Sequence, residues 1–491
     1  MTIYLNDVEA KLIGLDEIIA QCHCRCPQGN HIKAYRHFYD PTEKDQLQAE
    51  FDAIEALIVL LKTSPQQALD AQRLLSQLRE LRGTLHGLES ERLLDETEFF
   101  ELKKAIAIFN QLAELKKLTK AAKVHIAVLD EAQRLLDPDG SGAQGFHIYS
   151  AYSAELGQIR RQKREIEVQF EFSNGTARQE LLKKRNLINA EEDQEEERVR
   201  RELGIRLLHW LPELRANLEA CGWLDFRLAR AELALKWQAQ KPELLNADEH
   251  AEITEAWQPL VKAALQKSGA DFTPHSIRLE QGATIITGAN MGGKSVALQT
   301  CFLTLALTQL AYFPPCKALK TPLYDFFSFS TGESGDINLG LSSFGMEALR
   351  IRDDYRRSQQ KRGLVVMDEP CRGTNPSEAT AIVQALCQAY ARSQSSLLMA
   401  THYKVVPGKG LRFYRIKGIR QNGLENIQPA SGLKDAELIR QIQALMDFHL
   451  EEVDGSQHHP SAAIQIAALL GMDTELIQIM QKLWKEEKWQ K

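Results

Sequence analysis

The sequence lacks the features that would place it in a membrane or in a disordered class. No apolar run among its 491 residues is long and uninterrupted enough to span a bilayer, and the first residues form neither a basic segment nor an apolar core. Glycine and proline, with 29 and 16 residues, show no enrichment typical of disorder. With 44% hydrophobic residues, the chain can form several folded domains. We therefore expect a cytoplasmic globular protein without a membrane partner.

Positive charge is also in short supply. The 60 Lys and Arg residues are outnumbered by 66 Asp and Glu residues, which gives a formal net charge of −6. Such a balance provides no overall attraction to polyanions, so binding to a nucleic acid would require a local basic surface.

Cysteines are few and scattered, at positions 22, 24, 26, 221, 301, 316, 371 and 387. Without a secretion signal, this pattern is typical of reduced thiols and not of a disulfide framework. The triplet Cys22, Cys24 and Cys26, with His31 nearby, is a candidate metal site. Zinc sites usually separate paired cysteines by at least two residues, so thiols without a metal role are the preferred interpretation.

The most informative segment is a complete phosphate-loop motif, Gly-x-x-x-x-Gly-Lys-Ser, at residues 288–295. A strand pattern at 283–287 precedes it and an apolar helix pattern at 296–310 follows it, as this motif requires. Backbone N–H groups of such a loop bind phosphate oxygens, and the lysine reaches the terminal phosphates. The predicted nucleotide-binding residues are Gly288, Ala289, Asn290, Met291, Gly292, Gly293, Lys294, Ser295 and Val296.

A second apolar strand pattern, at 364–367, ends in Asp368 and Glu369. A carboxylate beside a phosphate loop can hold hydrated Mg²⁺, so Ser295 and Asp368 are the predicted magnesium ligands. Glu369 would orient the attacking water, and His402, after a third strand pattern, would hydrogen-bond that water or the γ-phosphate. With Lys294, these two residues form the predicted catalytic set. Two surface acids and a structural histidine are the alternative interpretations.

The chain divides into a helical first half and an α/β second half. We predict a helical core domain at 1–140, a long-helix arm at 141–240, a phosphate-loop domain with a largely parallel sheet at 241–430 and a helical element at 431–491. Within the arm, two long antiparallel helices of coiled-coil character are expected to meet near residues 173–175. The acidic run at 191–197 is most simply a solvated helix face.

Several segments together resemble the MutS mismatch-repair ATPases, a branch of the ABC-type ATPase superfamily. Residues 287–295 resemble that family's T-G-P-N-M-G-G-K-S, residues 368–374 its D-E-x-x-R-G-T and residues 399–403 its F-A-T-H-Y. The resemblance implies helical core and lever domains, an ABC-type ATPase domain, the cofactors ATP and Mg²⁺, and a C-terminal helix-turn-helix-like dimerisation element.

The resemblance also implies a composite site in a homodimer. Residues 340–347 resemble the family's signature loop, which reaches the γ-phosphate bound by the other subunit. Ser342, Ser343 and Phe344 are the corresponding residues here. The chain departs from the family pattern at Ala289, which replaces a proline. It also departs at 257–260, where Trp-Gln-Pro-Leu replaces the R-H-P-V that lies beside the adenine.

Three functions stay open at this point. The family's mismatch-repair proteins begin with a domain that inserts a phenylalanine into the duplex, and this sequence shows no such domain. The first function is therefore a dimeric ATPase that binds duplex or branched DNA without reading mismatches. The second is an ATPase that remodels or reactivates a protein client, such as a cobalamin-dependent aminomutase. The third is a structural dimer with weak hydrolysis, which the intact Lys294, Asp368 and Glu369 disfavour.

Overall fold

The structure is a computed structural model that describes residues 5–140, 145–288, 293–331, 343–419, 446–455, 464, 467–468 and 472–487. These residues form two compact units. The first unit, here the α/β unit, comprises the described residues within Met1–Cys22, His37–Phe51 and Leu233–Lys491. The second, the helical unit, comprises His23–Arg36 and Asp52–Glu232. No helix among the described residues is long and apolar enough to cross a membrane.

Helices dominate the first half of the chain, as predicted. They are α1 (Asp7–Leu12), α2 (Leu15–Ala20), α3 (Pro27–Tyr35), α4 (Lys44–Thr63), α5 (Pro65–Leu75), α6 (Arg82–Glu89), α7 (Glu96–Glu114), α8 (Lys116–Ala121), α9 (Asp130–Leu136), α10 (Ala154–Glu171), α11 (Gly175–Leu207) and α12 (Leu211–Trp237). Short 3₁₀ turns lie at Pro41–Glu43, Ser150–Tyr152 and Leu208–Trp210.

Side-chain caps fix helix ends in the helical unit. Asp95 accepts a hydrogen bond from the backbone N–H of Glu98, whose carboxylate accepts one from the N–H of Asp95, so α7 begins with a capping box. The buried carboxylate of Asp225, in α12, accepts the backbone N–H groups of Arg25 and Cys26 at 2.7 and 2.8 Å. Cys26 itself caps α3, because its Sγ accepts the N–H of Gly29. This contact gives the third cysteine of the triplet a structural role.

The predicted pair of long antiparallel helices is present as α10 and α11. The turn between them contains Gly175, whose φ of 65° favours glycine. Ion pairs join the two helices along their length: Arg160 pairs with Glu192 at 2.9 Å and with Glu196 at 2.6 Å. Lys163 pairs with Glu192 as well. We call α10 and α11 the hairpin arm.

The α/β unit contains ten strands and five further helices among the described residues. The strands are β1 (Glu243–Leu244), β2 (Ala251–Ala256), β3 (His275–Leu279), β4 (Gly282–Thr287), β5 (Ala318–Thr321), β6 (Phe326–Thr331), β7 (Gly363–Asp368), β8 (Ser396–Ala400), β9 (Leu411–Ile419) and β10 (Met446–Val453). The helices are α13 (Pro259–Lys267), α14 (Lys294–Gln309), α15 (Ser343–Ser358), α16 (Pro376–Tyr390) and α17 (Thr474–Glu487).

A six-stranded sheet forms the centre of this unit, with the order β10-β9-β4-β8-β7-β6. All neighbouring strands run parallel except β10 and β9, so the predicted largely parallel sheet is confirmed. Ile286 of β4 lies opposite Ala400 of β8, which in turn lies opposite Asp368 of β7. The carboxyl ends of these three strands therefore meet at one edge. A second sheet has the order β1-β5-β2-β3.

One secondary-structure prediction is wrong. Helical structure was expected from residue 431 onward, but Met446–Val453 is a strand that pairs antiparallel with β9. The residues Met446, Phe448 and Leu450 alternate with polar residues at the two-residue period of a strand. Pairing with the exposed edge of β9 satisfies backbone groups that a helix would leave unpaired there. The helix α17 follows farther on.

The α/β unit includes segments from the start of the chain. The backbone N–H of Tyr39 donates to the carbonyl of Gln309 at 2.8 Å, and the Gln309 side chain donates to the carbonyl of Tyr39 at the same distance. The ring of Phe38 contacts Phe327 of β6, with 6.0 Å between centroids. These compact units differ from the four sequence domains, and the four-domain division stays a prediction.

Candidate nucleotide-binding site

The phosphate-loop sequence lies between a buried strand and a buried helix. Strand β4 ends at Thr287 and α14 begins at Lys294, which is the strand-loop-helix context that the motif predicts. Gly288 has a φ of 141°, and a Cβ atom there would lie 3.3 Å from the Ile416 carbonyl, so a side chain is disfavoured. Gly293 has a φ of 83° and is the N-cap residue of α14. Of the predicted loop residues, Ala289, Asn290, Met291 and Gly292 lie outside the described residues.

Lys294 is buried, with 5% of its surface exposed. Its ammonium donates to the carbonyl of Gly288 at 3.0 Å and lies 3.5 Å from a carboxylate oxygen of Glu369. A buried ammonium is costly unless it is paired, so these two contacts account for its burial. The two contacts also place the Lys294 ammonium between the loop and the end of β7. A phosphate-loop lysine binds the terminal phosphates from this position.

Ser295 and Asp368, the two predicted magnesium ligands, are neighbours. The Ser295 side chain hydrogen-bonds the Asp368 carboxylate, whose pKa is raised chiefly by burial. Oδ1 of Asp368 is buried and has no hydrogen-bond partner. A buried carboxylate oxygen without a donor is stabilised by a cation, and hydroxyl and carboxylate oxygens are ligands that Mg²⁺ prefers. The residues present therefore fit the ion.

Glu369 occupies a strained turn directly after β7. Its φ of 49° is unusual for a residue with a side chain, and its N–H donates to the carbonyl of Ala400 at 2.9 Å. The carboxylate lies between Lys294 and Arg372, whose Nη1 is 3.9 Å away. Cys371 also has left-handed backbone, with a φ of 65°, and its N–H donates to the carboxylate of Glu347 in α15 at 3.0 Å. Strained backbone of this kind clusters at functional sites, where surrounding contacts maintain it.

The structure brings four of the predicted site residues together and leaves the side chain of His402 exposed. Lys294, Ser295, Asp368 and Glu369 come together at the carboxyl edge of the sheet. His402 lies two residues beyond the end of β8, at the same edge, but its side chain is exposed. Its ring contacts Tyr403, with 4.2 Å between centroids. The catalytic role of His402 stays a prediction.

The predicted signature residues begin helix α15. Ser342 lies outside the described residues, and Ser343 is the first residue of α15. Phe344 is half-buried and packs against the apolar core beneath the six-stranded sheet. Its described contact is therefore within its own subunit. Sequence reasoning missed Glu347, one turn farther along α15, which holds the Cys371 N–H.

A cavity of about 490 Å³ opens beside the end of the phosphate loop. It extends from Gly293 and Val296 past the segment after α13 to β10. The side chains that matter for a ligand are Phe272, His275 and Phe448. Phe448 lies so close to the loop that a Cβ on Gly293 would be 3.1 Å from its ring. Burial lowers the pKa of His275 to about 4, so this imidazole is neutral at pH 7.

Residues 257–260 replace the family's R-H-P-V segment, and the side chain of Gln258 in this segment makes structural hydrogen bonds. The Gln258 side chain accepts the N–H of Leu260 at 2.6 Å and donates to the carbonyl of Ile13 at 3.1 Å. It thereby caps α13 and ties it to α1. The cavity residues come from separate parts of the sequence, between Val261 and Phe448, and no single motif connects them.

A glycine loop between a parallel strand and a helix, with a lysine and two strand-end carboxylates beside it, is the arrangement typical of phosphate-loop proteins. Comparison with protein families agrees with this arrangement, because residues 284–486 match the family model "MutS domain V". The resemblance to the MutS ATPases is thus confirmed over these residues.

Individual relatives agree with this. The chain is 30% identical to the DNA mismatch repair protein MutS of Syntrophomonas wolfei, over 40% of this chain and 23% of that protein. It is 26% identical to the Endonuclease MutS2 of Latilactobacillus sakei, over 74% of this chain and 44% of the relative. The Endonuclease MutS2 of Leuconostoc citreum is 30% identical over 45% of this chain and 27% of its own length. The chain therefore spans less than half the length of these relatives.

Proposed function

We propose that this protein is a cytoplasmic, Mg²⁺-dependent ATPase that works as a homodimer and couples ATP hydrolysis to a conformational change. The observation that carries the proposal is the gathering of Lys294, Asp368 and Glu369 around the phosphate loop. The family match supports the same activity. Phosphoryl transfer requires mainly positioning and charge neutralisation, and these residue types supply both.

Each side chain has a distinct role in this proposal. Lys294, with the loop N–H groups, binds the terminal phosphates of ATP. Ser295 and Asp368 would hold Mg²⁺, which neutralises charge that develops on the phosphate oxygens. Glu369 orients the attacking water and accepts its proton. His402, which is exposed at the same edge of the sheet, would hydrogen-bond that water or the γ-phosphate.

The cavity beside Gly293 supports a nucleobase site. Its volume of about 490 Å³ is within the range of small-ligand pockets, and it adjoins the loop that would hold the phosphates. Aromatic rings such as Phe272 and Phe448 favour a flat heteroaromatic ring through stacking. A neutral His275 provides one hydrogen-bond donor and one acceptor. These features favour a purine nucleotide.

The composite site is proposed from the resemblance and from the position of α15. Ser343 begins this helix, and a helix N-terminus favours an anion. The Ser342 and Ser343 segment of one subunit would then contact the γ-phosphate held by its partner. The helix α17 is proposed to take part in dimerisation, and it exposes Leu476, Ile479, Leu483 and Trp484.

Replacing Ser342 and Ser343 together with alanine should lower ATP turnover by about tenfold or more and leave nucleotide binding intact. The expected loss is that of hydrogen bonds to a charged phosphate. Turnover and the dissociation constant for ATP are measured separately. Ser377→Ala, which removes an exposed hydroxyl from the start of α16, is the matched control. A double variant as active as the parent would remove the cross-subunit contact from the proposal.

For the partner, we propose duplex or branched DNA, bound through the helical half of the chain. Relatives named DNA mismatch repair protein MutS and Endonuclease MutS2 support this choice. One observation favours a protein client instead. In the hairpin arm, Arg160 and Lys163 already pair with Glu192, so part of the positive charge is neutralised internally. A protein client remodelled by the ATPase is therefore the second candidate.

DNA binding is expected to weaken steeply with salt, because contact with phosphates releases counterions. Replacing Lys183 and Lys184, both exposed on the hairpin arm, with alanine should reduce the slope of log K against log salt by about two. The matched control replaces Lys116 and Lys117, an exposed pair on α8. The measurement is a salt-titrated binding assay with and without ATP. Absence of binding at low salt would favour the protein client.

A further inference from the structure

The acidic side chain of Glu9, on α1, is buried inside the α/β unit with 4% of its surface exposed. Its Oε1 accepts the backbone N–H of Phe329 at 3.1 Å and a hydrogen bond from the guanidinium of Arg350. Its Oε2 accepts the N–H of Asn6 at 2.9 Å, as part of the capping box of α1. All three contacts require an acceptor, and the one with Arg350 is strengthened by charge.

Two partners of Glu9 lie on the strand that precedes the signature segment (Ser342, Ser343 and Phe344) in the chain and on the helix that begins within it. Phe329 belongs to β6, which is the last strand of the six-stranded sheet among the described residues. Arg350 belongs to α15, which starts at Ser343. Glu9 therefore joins β6 to α15, although Glu9 lies 320 residues earlier in the chain than Phe329.

Arg350 has further partners that hold it in place. Its guanidinium donates to the hydroxyl of Ser328 at 3.2 Å and lies 3.9 Å from Asp354 on the same helix. Ser328 in turn donates to Asp354 at 2.7 Å. A network of this kind specifies one arrangement when all its members are satisfied. Glu9 is the member of the network that comes from α1.

The same helix also holds the catalytic turn. Glu347, three residues before Arg350 and on the same side of α15, accepts the N–H of Cys371 at 3.0 Å. Cys371 lies two residues after Glu369, in the turn with left-handed backbone. A shift of α15 would therefore move both its first residue, Ser343, and the support of the Glu369 turn.

We propose that Glu9 is a positioning residue for ATP hydrolysis: through Arg350 it fixes α15, and α15 fixes the Glu369 turn and the signature segment. This inference rests on the proposed ATPase function. Glu9 is buried against Phe329 and Arg350, and its effect passes through Arg350 and Glu347. Helix α1 is thus part of the proposed ATPase machinery of the α/β unit, and a movement of α1 would change the turnover number.

The test is Glu9→Gln in the full chain, which keeps the shape of the side chain and removes its charge. Hydrogen exchange should become about tenfold faster in residues 343–358 and 369–374, and stay unchanged in β4 and β8. The turnover number should fall about tenfold while the KM for ATP stays within about twofold, because the phosphate-binding groups are unaltered. Asp7→Asn, which neutralises an exposed acid on the same helix, should change neither quantity.

Double-mutant analysis separates positioning from simple stabilisation. Arg350→Gln, which also removes the contacts with Ser328 and Asp354, should lower turnover at least as much as Glu9→Gln. The double variant should lose much less than the sum of the two single losses, because the ion pair between Glu9 and Arg350 is already absent from each single variant. Additive losses, or a KM that rises in step with the melting defect, would overturn the proposal. So would unchanged exchange in α15 of folded Glu9→Gln protein. If the parent chain hydrolyses no ATP, the exchange experiment still decides the coupling, and only the ATPase function fails.

Discussion

Replacing Glu369 with glutamine is expected to lower the rate of ATP hydrolysis by about 10²–10⁴-fold, the usual contribution of a general base. The amide keeps the shape of the carboxylate but cannot accept the proton of the attacking water. Affinity for MgATP should stay within a few fold, because Lys294 and the loop remain. Single-turnover hydrolysis and equilibrium nucleotide binding are the two measurements.

The matched control for this variant is Glu378→Gln. Glu378 is an exposed acid at the start of α16, nine residues from Glu369. Its replacement should leave both rate and affinity unchanged. Unchanged turnover in Glu369→Gln would remove this residue as the base, and a large loss of affinity would make it a binding residue instead.

Replacing Lys294 with alanine should weaken ATP binding strongly and abolish hydrolysis. The ammonium is held between the Gly288 carbonyl and the Glu369 carboxylate, and Lys294 is buried. Without it the terminal phosphates lose charge-assisted hydrogen bonds, and Glu369 repels them. We expect the dissociation constant for MgATP to rise by about 10²-fold and turnover to fall to background.

Lys361→Ala provides the control for charge alone. Lys361 is exposed and precedes β7, at the opposite end of the strand from Asp368. Its loss changes the net charge by the same amount and should leave ATP binding unaltered. Calorimetric titration of each variant with MgATP distinguishes the two lysines. Binding by Lys294→Ala at parental affinity would show that the loop does not hold the phosphates.

The centre of the candidate site was predictable because its chemistry is local in sequence. The phosphate loop, Lys294 and Ser295 form one motif, and an apolar strand pattern placed Asp368 and Glu369 at a strand end. Parallel pairing of β4, β8 and β7 then brings these segments to one edge. The packing of Phe344 against the core beneath the sheet depends on tertiary contacts, and the sequence pattern contains no signal for it.

The features that the sequence did not predict are non-local. Glu9 accepts a hydrogen bond from Phe329, which lies 320 residues farther along the chain. From the sequence alone, an acidic residue in a short amphipathic segment is expected to be exposed. The cavity beside Gly293 combines the segment after α13 with β10, and β10 itself was expected to be helical. The alternation of apolar and polar residues in β10 covers only one short strand. Over so few residues, the two-residue period of a strand is hard to distinguish from the period of a helix.

The most direct test of the central claim is the mass and nucleotide content of Glu369→Gln protein, measured by light scattering with and without MgATP. If two copies close around ATP, the variant will have the mass of two chains in MgATP and will retain one ATP per chain, and Lys294→Ala in the same background will do neither. A variant that has the mass of a single chain and holds no nucleotide at saturating MgATP would contradict the account.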